Sequence, residues 1–82
     1  MKTINDRIEE DLKSRGHIII ARCGGQPSLR KPSNTRWTIE RWMRDHNLEL
    51  PLDAFAITPG ARRRYRSEGY INTISILPGV LK

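Results

Sequence analysis

The sequence predicts a small α+β fold, two helices packed on a short antiparallel sheet, in one basic domain over residues 1–82. Three observations predict it. Thr3 to Arg15 and Thr35 to His46 carry apolar residues at helical spacing, ~100° per residue. His17 to Arg22 and Tyr70 to Leu77 are rich in β-branched residues and flanked by Gly and Pro, which suits strands. A chain of 82 residues has room for one core. Such a chain buries only about 60–65% of its extended surface.

Each element follows from its residues. Thr3 caps the first helix and Asp6 completes a capping box with it. Ile4, Ile8 and Leu12 form a narrow apolar stripe, Lys13 and Arg15 suit the negative helix end, and Gly16 terminates it. Asp6, Glu9, Glu10 and Asp11 read as a solvated face. The three isoleucines after His17 predict a largely buried strand ending at Arg22, followed by a Gly-, Pro- and Ser-dense loop from Cys23 to Ser33. Gly24-Gly25 lacks the Walker spacing of a phosphate cradle. Ser33, Asn34 or Thr35 caps the second helix, and Asn47 stops it. Leu48, Leu50 and Leu52 alternate in an extended segment. From Asp53 two readings compete. One is a helix opening at Thr58-Pro59 and ending at Gly69. The other, slightly favoured, is a tight turn at Pro59-Gly60 followed by a basic strand through Arg66. Pro78-Gly79 ends the last strand.

Fifteen Lys and Arg face nine Asp and Glu, for a net charge of +6. The excess is uneven: residues 1–20 balance, residues 21–48 carry +4, and residues 49–82 carry +2. Eleven of the fifteen cations are arginine, whose rigid fork grips phosphate or guanine at two points. Cys23 stands alone, which rules out an internal disulfide or a cysteine zinc cluster and predicts a reducing, cytoplasmic setting. No apolar run approaches the ~18–20 residues of a membrane span, and the start lacks a signal-peptide core, so no membrane attachment is expected.

The second helix separates its chemistry by face. Ile39, Trp42, Met43 and His46 form one stripe, with Trp42 and Met43 expected in the core and His46 at its polar edge. Opposite lie Trp37, Arg41 and Arg44, an indole between guanidinium groups that suits phosphates, base edges or an acidic partner. The wider constellation is Arg30, Lys31, Arg36, Arg41, Arg44, Arg62, Arg63, Arg64 and Arg66. It predicts nucleic-acid contact, with Arg41 and Arg44 at base edges and Arg30 and Lys31 on the backbone. Arg62, Arg63, Arg64 and Arg66, interrupted by Tyr65, would grip an adjacent phosphate run or minor groove. The competing readings are a solvated, salt-bridged helix with a charged hairpin and, for Trp37, an indole folded back on the Pro27–Pro32 loop. His17 has no evident acid partner. Cys23 and His46 lack the spacing of a thiol–imidazole pair, and Ser28, Ser33, Ser67 and Ser75 sit in no nucleophile motif. No catalytic residue, metal ligand or cofactor is therefore expected.

From Ser33 to Arg66 the chain resembles phage excisionases and related winged-helix regulators. The residues that carry this are Thr38-Ile39-Glu40-Arg41-Trp42-Met43-Arg44, then Leu50-Pro51, then Arg63-Arg64-Tyr65-Arg66. The resemblance implies a helix of the form Thr-x-x-Arg-Trp-x-Arg in the major groove and a basic hairpin wing. It would place Arg41 and Arg44 in the groove and Arg63, Arg64 and Arg66 on the wing. That family has a short helix before the recognition helix, where this chain reads as a strand and a loop.

The expected function is that of a non-enzymatic DNA-binding regulatory protein of the compact kind found on phages and other mobile elements. Duplex DNA is the first partner to test, and pairing with a second copy stays open. A protein-binding inhibitor or adaptor of a host protein, anchored by Trp37 and arginines, is the alternative. A small ribonuclease toxin ranks last for want of an acid–base pair.

Overall fold

In the computed structural model, residues 2–27, 33–62 and 69–81 are described. Helix α1 (Ile4–Ser14) starts at the capping box between Thr3 and Asp6 and gives way at Gly16. Strand β1 (Ile18–Gly25) follows. Helix α2 (Asn34–Asp45) is capped by Ser33, whose Oγ accepts the Arg36 amide, and the chain turns after it at Asn47, φ 55°. A single 3₁₀ turn (Leu52–Ala54) leads into β2 (Phe55–Arg62), and β3 (Tyr70–Ile76) completes the fold.

The sheet is antiparallel, in the order β1-β3-β2, so the last strand is central. Alternation along β3 then sorts the two faces. Ile74 and Ile76 are fully buried and pack with Ile39 of α2, Phe55 and Ala54, with Ala21, Cys23, Ile57, Trp42 and Met43 around them. Each of these large side chains contributes roughly 1.5–3 kcal/mol on full burial, so this side carries most of the apolar stabilisation. Thr73 and Ser75 point the other way, to the face that α1 covers. That face is polar and is held by specific contacts. Arg22, opposite Thr73, donates from Nη2 to Asp6 Oδ1 at 2.6 Å and from Nε to Glu9 Oε1 at 2.9 Å. His17 Nδ1 lies 3.0 Å from Ser75 Oγ. The two helices therefore cover opposite faces of the sheet.

Several expectations need correction. β1 runs past Arg22 through Cys23, Gly24 and Gly25, because Asn72, Ile71 and Tyr70 of β3 supply them with partners. Its isoleucines are not uniformly buried: Ile18 is 44% exposed at the sheet margin, and a register shift between Ile19 and Ala21 interrupts their alternation. Pro59-Gly60 is not a turn and Thr58 opens no helix; both positions lie inside β2, at an edge where proline's missing N–H breaks no ladder bond. The expected strand beyond Arg62 lies outside the described residues. In α1, Ile4 is 58% exposed, and the position the helix buries beside it is Asn5. Trp42 and Met43 are half-buried flanks of the core. His46 is exposed and stacks on Trp42 at 4.4 Å between ring centroids. Among the described residues, no helix is long and apolar enough to cross a membrane.

Candidate nucleic-acid interface

Burying Ile39 against the sheet turns the opposite side of α2 to solvent. Trp37 is 55% exposed there; the alternative of an indole folded back on the Pro27–Pro32 loop turns on residues 28–32, which lie outside the described residues. The Arg41 guanidinium sits over its ring, 5.3 Å from the centroid, one helical turn away. This is cation–π distance, and it holds the indole and the cation as one flat, positively charged platform. Arg36 and Arg41 also have acidic neighbours, Glu40 at 3.6 Å and Asp45 at 3.9 Å. Exposed pairs of this kind contribute about 0–1 kcal/mol, so both cations can exchange partners readily. Arg44 is exposed as well and shares a shallow cleft of about 380 Å³ with Glu40, Met43, Leu48, Glu49 and Leu50.

A second aromatic–guanidinium pair lies at one end of the sheet. Tyr70 and Arg62 are cross-strand partners, and the guanidinium lies 5.7 Å from the ring centroid while Nη2 donates to Tyr70 Oη at 3.4 Å. With Gln26 and Gly69 they line a cleft of about 340 Å³. The backbone under this cleft is tightly packed. Gly69 has φ +75°, and a Cβ on it would lie 2.3 Å from the carbonyl oxygen of Gly25, so only glycine fits. Asn72 Nδ2 donates to the same carbonyl at 3.1 Å.

The two pairs share one side of the sheet. Tyr70 has the same parity on β3 as Asn72, Ile74 and Ile76, which face α2. The start of α2 is tied to the same sheet end, where Thr35 Oγ1 donates to the Gln26 carbonyl at 3.4 Å. On the other side of the sheet, the four carboxylates of α1 are paired locally, through Lys2–Glu10, Arg15–Asp11 and the Arg22 contacts with Asp6 and Glu9, and residues 1–20 carry no net charge.

Of the residues singled out in the sequence, Arg36, Trp37, Arg41 and Arg44 are together on α2, and Arg62 is at the sheet end. Arg30, Lys31, Arg63, Arg64 and Arg66 lie outside the described residues. Sequence reasoning missed Tyr70 and Gln26. Tyr70 reads from sequence only as a strand former, and nothing local announces that Arg62 will be its cross-strand partner. Comparison with known families, curated proteins and solved structures finds no match to this chain.

Proposed function

We propose that this is a non-enzymatic DNA-binding regulatory protein, of the kind carried by phages and other mobile elements. Its contact surface is the outer face of α2 together with the Arg62 end of the sheet. One observation carries the reading: the exposed Trp37–Arg41 platform and the Arg62–Tyr70 pair lie on the same side of the sheet, away from α1 and its paired carboxylates. Aromatic and guanidinium planes side by side suit bases and phosphates together. The likeness of Thr38 to Arg44 to the groove helix of excisionases supports the same surface, and lone Cys23 suits a reducing cytoplasm. Binding is favoured over catalysis because the Ser75 hydroxyl that His17 meets is fully buried, out of reach of a substrate, and His46 Nδ1 is held at the Trp42 carbonyl.

A salt titration against duplex DNA tests the proposal. Neutralising about four to six phosphates gives a log–log slope near −4 to −5. A flat response, or no binding at low salt, overturns it in favour of an acidic protein partner anchored by Trp37. The two ion pairs Arg36–Glu40 and Arg41–Asp45 along α2, which mix both signs of charge, are the observation that favours that alternative.

A further inference from the structure

We infer that the preferred ligand is DNA carrying unpaired nucleotides beside a duplex, with one free base stacked on Trp37 and another received in the cleft at Tyr70. This rests on the DNA-binding reading and narrows it. The first argument concerns the faces of rings. Inside a duplex each base is covered above and below by its neighbours, so a helix in a groove meets only base edges. An indole 55% exposed and backed by Arg41 at 5.3 Å offers a flat face, and only an unstacked base can use it.

The second argument concerns charge. Duplex DNA sets its phosphates more densely than a single strand, and counterion release per contact is correspondingly larger, about 0.9 against 0.7. The α2 face is poorly matched to that density. Glu40 lies 3.6 Å from Arg36, Asp45 lies 3.9 Å from Arg41, and Arg44 shares its cleft with Glu40 and Glu49. Carboxylates interleaved with guanidinium groups weaken, without abolishing, the hold on a close double row of phosphates. A single strand lets each phosphate settle on one cation while its base turns to the ring.

The third argument is the cleft at the sheet end. Its lining joins an aromatic ring, a guanidinium and a carboxamide in Tyr70, Arg62 and Gln26, over a glycine floor. Tyr70 and Arg62 offer stacking surfaces to a base, and the Gln26 amide can both donate to and accept from a base edge. At about 340 Å³ the cleft has room for a nucleobase and part of its sugar. The close Gly25–Gly69 approach fixes the backbone on the Gly69 side of the cleft.

The test compares three probes on the full chain: a short blunt duplex, the same duplex with an oligothymidylate tail, and the tail alone. The tailed duplex should bind about tenfold or more tighter than the blunt one, the range expected for one or two stacked bases. Trp37→Ala should bring the ratio of tailed to blunt affinity close to one. Trp37→Phe should retain the preference, because a phenyl ring still stacks, and should abolish the tryptophan quenching that the tail causes in the parent. Arg62→Gln should reduce the ratio in part. Equal affinity of the parent for blunt and tailed duplexes, or equal behaviour of the Ala and Phe variants, overturns the inference and leaves DNA binding in place. Absence of salt-sensitive binding to all three probes overturns both.

Discussion

Asn5 and Gly60 interlock. The Asn5 side chain, on the first turn of α1, donates from Nδ2 to the Ile71 carbonyl at 3.1 Å and accepts the Ala61 amide on Oδ1 at 3.2 Å. It lies so close to Gly60 that a Cβ there would sit 2.8 Å from both Nδ2 and Oδ1. The register of β2 slips between Pro59 and Arg62, which leaves the Ala61 N–H without a ladder partner. Asn5 satisfies that amide, so one buried side chain joins α1, β2 and β3 at the strand that ends in Arg62.

Gly60→Ala should destabilise the fold by about 1–3 kcal/mol, as overpacking does. Asn5→Ala should cost about 1–3 kcal/mol because it strands buried backbone groups. The double variant should cost less than the sum of the two, since the added methyl then has space. Urea unfolding of the four proteins reads this directly. Strict additivity would show that the two residues do not touch in solution.

The Asp6–Arg22 contact predicts an acid-sensitive fold. The Arg22 guanidinium, bonded to Asp6, holds that carboxyl at about 2, well below the usual carboxylate range, and Thr3 adds to the effect. A carboxyl with a lowered folded-state pKa stabilises fully above its unfolded value. That contribution is lost as pH falls through the folded value. Stability should therefore decline between about pH 4 and pH 2, and Asp6→Asn or Arg22→Met should flatten the decline in that window. Thermal melts across the range measure it; an unchanged profile in both variants would remove the contact from the stability account.

Trp37→Ala should leave folding stability within about 0.5 kcal/mol, because the indole faces solvent. Binding to DNA should weaken by roughly 2 kcal/mol or more if the indole anchors it. Chemical unfolding and a binding isotherm on the same variant separate the two effects. A loss of several kcal/mol in folding would mean that the indole is part of the packed structure.

Arg41→Ala and Arg62→Ala each remove one charge and should act differently. Arg41, stacked with Trp37, is set to meet a base, so its loss should relax sequence preference by about 1–3 kcal/mol at one position. Arg62, at the sheet end, should weaken all sequences alike and reduce the salt slope by about one unit. Titrations on a small panel of sequences at several salt concentrations distinguish them. Identical behaviour would exclude a division of labour between α2 and the sheet end.

Local chemistry was enough to read the helices. The Thr3–Asp6 capping box and the inward turn of Ile39 depend on residues within one or two turns of each other, and the structure contains both; it also selects Ser33 from the three candidate caps Ser33, Asn34 and Thr35 and leaves Trp37 exposed. The α+β class was legible for the same reason, since helical and β-branched segments alternate along the chain. What tertiary structure decided depends on pairings between distant residues. Pro59-Gly60 has the local signature of a turn, yet pairing with β3 and the reach of Asn5 hold it as an edge strand with a slipped register. Cys23 to Gly25 has loop composition, yet β3 extends β1 through it. Asn5 is buried and Ile4 exposed, against their hydrophobicity, because the α1 face of the sheet is polar and rewards hydrogen bonds. The Arg62–Tyr70 cleft exists only because a central last strand brings residues 26, 62 and 70 together. Periodicity reports which side of an element faces inward; which strands become neighbours depends on contacts far apart in sequence, and these carry no local mark.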